Sequence, residues 1–188
     1  MNRSLSSSRP APGELVVVQE FVNTLDLESG QDRLADASKM RAWMQEFGLL
    51  EDGGPIDARD LQRVLAVREA LRALLIGNTC GKAAGDAAGL LNELAQESPL
   101  WVSFDPVGTA HLESARKGVD GALGKLLGIV FQSMADGSWP RLKACLGGHC
   151  HWAFYDHSKN QSGTWCSMAV CGSREKTRAY RERQAAGK

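Results

Sequence analysis

The chain has 188 residues, of which 43% are hydrophobic and 23% charged, with no net charge. That length suits one ordinary domain or a domain plus a small module, and the apolar content is enough for a real core. No run is long enough to cross a membrane; Leu15 to Val18 is far short of a span.

The charge is unevenly placed. Residues 1–140 carry 13 Lys and Arg against 19 Asp and Glu, a net of −6; residues 141–188 carry 9 against 3, a net of +6. A basic end on an acidic body points to a polyanionic partner, or to neutralisation of a negative metal–thiolate centre.

Residues 1–13, rich in Ser and Pro, read as a disordered leader without the apolar core of a secretion signal, which predicts a cytoplasmic protein. From Glu14 to about Leu27, Leu15, Val18, Val22 and Leu25 follow helical spacing, although Val16 to Val18 would also suit a strand. Asn23 and Thr24 lie beside that stripe as caps, as satisfied core polars, or as part of a possible ligand pocket. A second helix starts at a cap supplied by Asp36 or Ser38, lines one face with Met40, Trp43, Met44 and Phe47, and stops at Gly48. The longest helix runs from about Asp57 to Ile76 and ends at Gly77. Leu61, Val64, Leu65, Leu71, Leu74 and Leu75 form its buried stripe, and Arg59, Arg63, Arg68 and Arg72 form a solvated or ion-paired face. A shorter helix begins at Asp86, with Leu90, Leu91 and Leu94 inward.

The period then changes to two. Trp101–Asp105 and Thr109–Glu113, around Pro106 to Gly108, read as a hairpin carrying a lone structural His111. A last body helix spans about Lys117 to Ala135; Gly121, Gly124 and Gly128 weaken it or permit close approach by a neighbour. Asp136 to Pro140 marks the boundary to a terminal module.

Four of the five cysteines fall in that module, as Cys145-x4-Cys150 and, fifteen residues on, Cys166-x4-Cys171. In a reducing compartment such pairs favour a metal over disulfides, and four thiolates fit tetrahedral structural zinc. The set is complete, so His149, His151 and His157 are not needed as ligands and no coordination position is left for catalysis. Cys80, beside Gly81, reads as a structural thiol or loop residue. Trp152 to Tyr155 alternates as a strand. Ser173 can cap a helix carrying Arg174, Lys176, Arg178, Arg181 and Arg183, with Arg174, Arg178 and Arg181 on one face. A module this small has little core of its own, so its metal should supply order, on the order of 10–16 kcal/mol in small zinc fingers.

Cys145-x4-Cys150-x-Trp152-x-Phe154-x-Asp156-x-Ser158-x-Asn160, then Trp165-Cys166-Ser167-Met168-x2-Cys171-Gly172-x-Arg174, closely resembles the CGNR zinc-finger family of bacterial proteins. Phe21-Val-Asn-Thr24, the segment from Trp43 to Leu50 and the long Leu/Arg helix resemble the ABATE domain that usually precedes that finger. Two departures stand out: Ser173 replaces the Asn of the namesake tetrapeptide, and Gly163-Thr164 stand where the family often has arginines. The resemblance implies a transcriptional regulator whose finger contacts nucleic acid.

The predicted fold class is mostly α with minor β (α+β). It comprises a leader (1–13), an ABATE-like helical domain with a small β-hairpin (14–139), and a treble-clef or zinc-ribbon-like four-cysteine finger ending in a basic helix (140–188). The leading function is zinc-dependent DNA binding through Lys159, Arg174, Lys176, Arg178, Arg181 and Arg183, so that phosphate contacts dominate. Trp165 could stack on a base or brace the metal site. The body would sense a small-molecule effector or form a homodimer. The alternatives are a protein-interaction adaptor, recruited by charge, and an RNA-binding protein. No phosphate-binding Gly loop or nucleophile elbow is present, so an enzyme is not expected.

Overall fold

A computed structural model describes residues 10–51 and 54–186. Helix α1 (Leu15–Val22) buries Leu15, Val18, Phe21 and Val22. It stops at Asn23 rather than continuing to Leu27, and a two-stranded ribbon follows, β1 (Leu25–Asp26) against β2 (Gln31–Asp32). Strands of two residues leave no periodicity to read, and side-chain turns make this one: Asp26 Oδ1 accepts the N–H of Glu28 at 2.9 Å. Most of the expected disordered leader lies outside the described residues, but its end is packed. Ala11 is buried, and its N–H donates to Gln19 Oε1 at 2.7 Å.

Helix α2 (Ala37–Glu46) starts at Asp36, whose carboxylate accepts the Lys39 N–H at 2.8 Å. It delivers Met40, Trp43 and Met44 to the core, where Trp43 stacks on Phe47 with ring centroids 4.5 Å apart.

Helix α3 (Ala58–Cys80) opens with a capping box between Asp57 and Asp60. It passes through Gly77 and ends one turn later at Gly81, whose φ of +71° is left-handed. A single helical glycine costs only about 1 kcal/mol. Tertiary hydrogen bonds of the extra turn, described below, outweigh it. Of the two readings of the arginine face, the ion-paired one holds for Arg63, Arg68 and Arg72. Arg63 bridges Asp120 and Glu97, both at 2.7 Å, whereas Arg68 and Arg72 are buried. Arg68 pairs with Asp32 at 2.8 Å and Glu69 at 2.9 Å, and Arg72 with Glu69 at 2.9 Å. Helical spacing identifies a face but not what covers it; here the β1–β2 ribbon does.

Helix α4 (Asp86–Glu97) leads to the antiparallel hairpin of β3 (Leu100–Phe104) and β4 (Ala110–Ser114), in which Val102 pairs with Leu112. Helix α5 (Gly118–Ala135) lies against that hairpin. A Cβ at Gly124 would sit 2.7 Å from Ser114 Oγ, so close approach is why a glycine stands there.

The core does not stop at the predicted module boundary. Leu142, Ala144 and Ala153 are fully buried in the same cluster as Val18, Phe21, Leu71 and Leu126. They belong to β5 (Leu142–Ala144) and β6 (Ala153–Tyr155), the hairpin that carries the first cysteine pair. The protein is therefore mostly helical with small hairpins, and one hairpin of the finger is built into the body.

Candidate metal centre and nucleic-acid interface

The β5–β6 hairpin has two working faces because strands alternate. Leu142, Ala144, Ala153 and Tyr155 face the helical body, while Trp152 and Phe154 join Cys145, Cys150 and Cys171 in a second buried cluster. The body holds the hairpin by both edges. Asn23 Nδ2 donates to Ala153 O at 3.0 Å, and Asn23 Oδ1 accepts the Ala153 N–H at 2.7 Å. On the other strand, Thr79 Oγ1 donates to Ala144 O at 2.8 Å, and Asn78 Nδ2 donates to Leu142 O at 2.9 Å. Arg72 Nη1 adds a bond to His151 O at 3.0 Å. Asn23 and Thr79 thus do what neighbouring strands would do.

Of the three readings of Asn23 and Thr24, these bonds favour satisfied core polars. Asn23 is spent on Ala153. Thr24 Oγ1 donates to Phe21 O at 2.7 Å and accepts from Arg68 Nη1 at 3.2 Å. Their polar atoms all have protein partners, and those of Asn23 join body to finger.

On the far face, the Sγ atoms of Cys145, Cys150, Cys166 and Cys171 all lie within 4.8 Å of one another. The Cys150–Cys166 and Cys166–Cys171 separations are both 3.7 Å. Bonds of about 2.3 Å to a tetrahedral zinc place sulfurs about 3.8 Å apart, whereas a disulfide needs about 2.05 Å. The donor set therefore fits a tetrahedral metal and not a disulfide pair. Each pair is presented by a tight local turn. In the first, the Cys150 N–H donates to Gly147 O at 2.8 Å, and a Cβ at Gly147 would press on Cys171 Cβ at 3.0 Å. In the second, a wide helical turn, Met168–Gly172, starts at Ser167, whose side chain accepts the Val170 N–H at 3.3 Å. Without a cation the crowding is unfavourable for thiolates: hydrogen bonding to Cys145 and Cys150 raises the Cys166 thiol, and burial pushes Cys171 up to about 12. His149, His151 and His157 stand outside the set. His157 meets Pro10 O instead, at 3.2 Å.

Between the pairs, the loop from Asp156 to Gly163 is tied by a buried ion pair. Lys143 Nζ lies 3.0 Å from Asp156 Oδ2, with both side chains 5% exposed. Lys143 also donates to the carbonyls of Gln161 and Gly163, while Asp156 accepts N–H bonds from Ser158 at 3.0 Å and Gly163 at 2.7 Å. Burial opposes ionisation of Asp156, but these donors prevail and hold its carboxyl well below the usual range. Sequence reasoning passed over Lys143. Its one signal was a lysine flanked by apolar Leu142 and Ala144 in a strand.

Helix α6 (Ser173–Ala186) follows the second pair without a break. Ser167 performs the capping expected of Ser173, which is already helical and donates its hydroxyl to Met168 O at 3.2 Å. The reason is register: the helical turn begins within the cysteine spacer, six residues early. None of the α6 residues is buried. Arg174, Arg178 and Arg181 share one face with Val170 and Thr177. Two of these arginines have acidic partners. Arg174 Nη1 meets Glu28 of the β1–β2 turn at 2.8 Å, and Arg178 Nη2 meets Glu175 at 2.6 Å. Among the described residues, Lys159, Lys176, Arg181 and Arg183 have no acidic partner within ion-pair distance, and all four are exposed. Lys159 sits apart from α6, on the loop that Arg141 holds through Asp156 O and Ser158 O at 3.0 and 2.9 Å. Trp165 is half-buried against the metal cluster, and a Cβ at Gly172 would lie 3.5 Å from its ring, so it braces the site. No described helix is long and apolar enough to cross a membrane.

A search of the curated proteins found no match. Residues 141–184 match the CGNR zinc finger, which covers the hairpin, all four cysteines and most of α6. Residues 15–136 match ABATE, described as a "putative stress-induced transcription regulator", over the whole helical body. The chain therefore belongs to the ABATE family of regulators and carries a CGNR zinc finger at its C-terminal end.

Proposed function

We propose that the chain is a zinc-dependent DNA-binding transcriptional regulator, with zinc in a structural role and the helical body acting as a sensing or dimerising domain. One observation carries the reading. Helix α6 buries none of its residues, yet it is rooted in the metal centre and carries Lys176, Arg181 and Arg183 into solvent. A helix that buries none of its residues leaves its cationic surface open to a partner, and a phosphate backbone is the partner such a surface fits. A sensing role is supported by an open, largely polar cleft of about 900 Å³ lined by Leu49, Leu112 and Ile129 together with Glu113, Arg116 and Lys125, within the size range of small-molecule sites.

The magnitude follows from the pairing. Lys159, Lys176, Arg181 and Arg183 allow about four phosphate contacts, and about six if Arg174 and Arg178 exchange their carboxylates for phosphates. The slope of log K against log salt should then lie between about −3.6 and −5.4. Duplex binding by the zinc-loaded protein at several salt concentrations tests this. Arg178→Ala with Arg181→Ala should shrink the slope by roughly 0.9 when Arg181 alone meets phosphate and by roughly 1.8 when both do. An unchanged salt dependence would show that α6 is not the contact.

A second reading, a protein-interaction adaptor, is favoured by the Arg174–Glu28 and Arg178–Glu175 pairs, because carboxylates already satisfy these guanidinium groups. An acidic protein surface could take their place. A stable protein partner that needs Arg181, with no duplex affinity at low salt, would select it.

A further inference from the structure

The hairpin of β3 and β4 has an inner strand and an outer one. Ala110, His111 and Leu112 of β4 border the cleft described above, and β3 lies on the far side. The Asp105 N–H donates to Thr109 O at 3.0 Å, and the Ala115 N–H donates to Pro99 O at 3.0 Å. Odd-numbered positions of β3 therefore turn their main chain toward β4. In an antiparallel pair the alternate residues point away. Leu100, Val102 and Phe104 thus direct N–H and C=O to the outer edge, and among the described residues no strand pairs there. Soluble proteins normally guard such an edge with charge, proline or a bulge. Within Leu100–Phe104 there is neither a charged residue nor a proline, and its register with β4 is unbroken.

Apolar area accumulates at the same place. Leu100, Val102 and Phe104 share one face, and Gly128 of α5 lies under it, its Cβ position 3.7 Å from Leu100 Cδ1 and 3.9 Å from Leu112 Cβ. Phe131, one turn further along α5, extends that face. Val102 is 54% exposed, Phe104 71% and Phe131 61%; on the opposite face of the strand Trp101 is 50% exposed. With Val107 at the hairpin tip these side chains leave roughly 500–600 Å² of apolar surface in water, on typical areas of ~150–250 Å² per aromatic residue. A standard interface takes ~800 Å² from each partner, so adding the strand backbone brings this edge to that scale.

We infer that β3 pairs with β3 of a second copy, antiparallel and centred on Val102. This rests on the reading of the body as a dimerising domain. Centring on Val102 sets each Leu100 opposite the second copy's Phe104 position, so the residues with outward main-chain groups meet one another, and each pair closes two hydrogen bonds. The occupant is a second copy because the strand is self-complementary in this register. It also brings no charge to the seam, so no like-charge contact opposes the pairing.

The test is sedimentation of the full-length, metal-loaded chain without nucleic acid, over a dilution series. The wild type should sediment as a dimer. Val102→Pro deletes an outward N–H and spares the β3–β4 hydrogen bonds, so it should weaken dimerisation by about a hundredfold. Phe104→Lys should cause a similar loss without touching the backbone, which keeps the test valid if the proline disturbs the strand. A wild type that is monomeric throughout, or a dimer indifferent to both substitutions, overturns the pairing. Duplex binding by such a monomer would leave the proposed function standing; a dimer without duplex affinity would do the reverse.

Discussion

Removing the metal should melt the outer half of the finger and leave its inner half in place. The β5–β6 hairpin is held from the body side by fully buried Leu142, Ala144 and Ala153 and by the Asn23, Asn78, Thr79 and Arg72 hydrogen bonds, none of which involves the metal. Helix α6 has no comparable support. It has 14 residues and none is buried, and isolated helices shorter than ~12–15 residues are marginal in water. Chelation should therefore abolish α6, about a sixth of the α-helical residues, and helical ellipticity should fall by about that fraction. Near-ultraviolet signals from Trp152 and Trp165, which pack on the sulfurs, should go with it, while those from Trp43 and Trp139 in the body core should persist. Circular dichroism during titration with a chelator reads both. Cooperative loss of the whole spectrum would show that the metal holds the body as well, and full retention of α6 would show that it holds neither.

Asn23→Ala leaves the Ala153 N–H without its buried partner, while the Ala153 carbonyl keeps Gln19 Nε2 at 3.4 Å, so denaturant unfolding should report a loss of about 1–3 kcal/mol, the cost of one unsatisfied group. Asp156→Asn should destabilise the wild-type fold at neutral pH. Because the folded carboxyl is held below its ordinary value, its contribution is complete above the unfolded value near ~4 and is lost as pH falls through the depressed one, so wild type and variant should converge in acid. Glu28→Gln frees Arg174 from a largely exposed pair worth under ~1 kcal/mol; stability should barely change, while the salt slope of duplex binding steepens by about 0.9.

What could be read from the sequence was what local chemistry writes. Asp36 and the Asp57–Asp60 box announce helix starts because the caps lie within three residues of the groups they satisfy. The β3–β4 hairpin shows through alternation, and the four cysteines through spacing and residue type. The misses have tertiary causes. Gly77 resembles a stop signal, but the next turn is retained because Asn78 and Thr79 grip β5. Arg68 and Arg72 read as a solvated or ion-paired face, and only the β1–β2 ribbon laid over them decides for buried ion pairs. Asn23 gives no hint in sequence of a partner 130 residues away. The small core expected of the module has the same explanation: residue counting cannot see that Leu142, Ala144 and Ala153 belong to another core.

The basic end is less free than its composition implies. Of the nine Lys and Arg after residue 140, Lys143 is consumed by Asp156 and loop carbonyls, and Arg141 by the carbonyls of Asp156 and Ser158. Arg174 and Arg178 meet carboxylates. Four thiolates around a divalent ion add a net of −2, which lowers the formal +6 of this segment to +4. Of the remaining five, Lys159, Lys176, Arg181 and Arg183 lie among the described residues, and a contact set that small gives weak, salt-sensitive binding on its own. Useful affinity at physiological salt then needs either base contacts from the exposed flank of α6 or a second copy engaging the same duplex. Two copies would double the phosphate contacts and convert the second encounter into an intramolecular one. A dimer joined through β3 supplies that second copy from the body, at a site where substitution leaves every cation of the finger untouched.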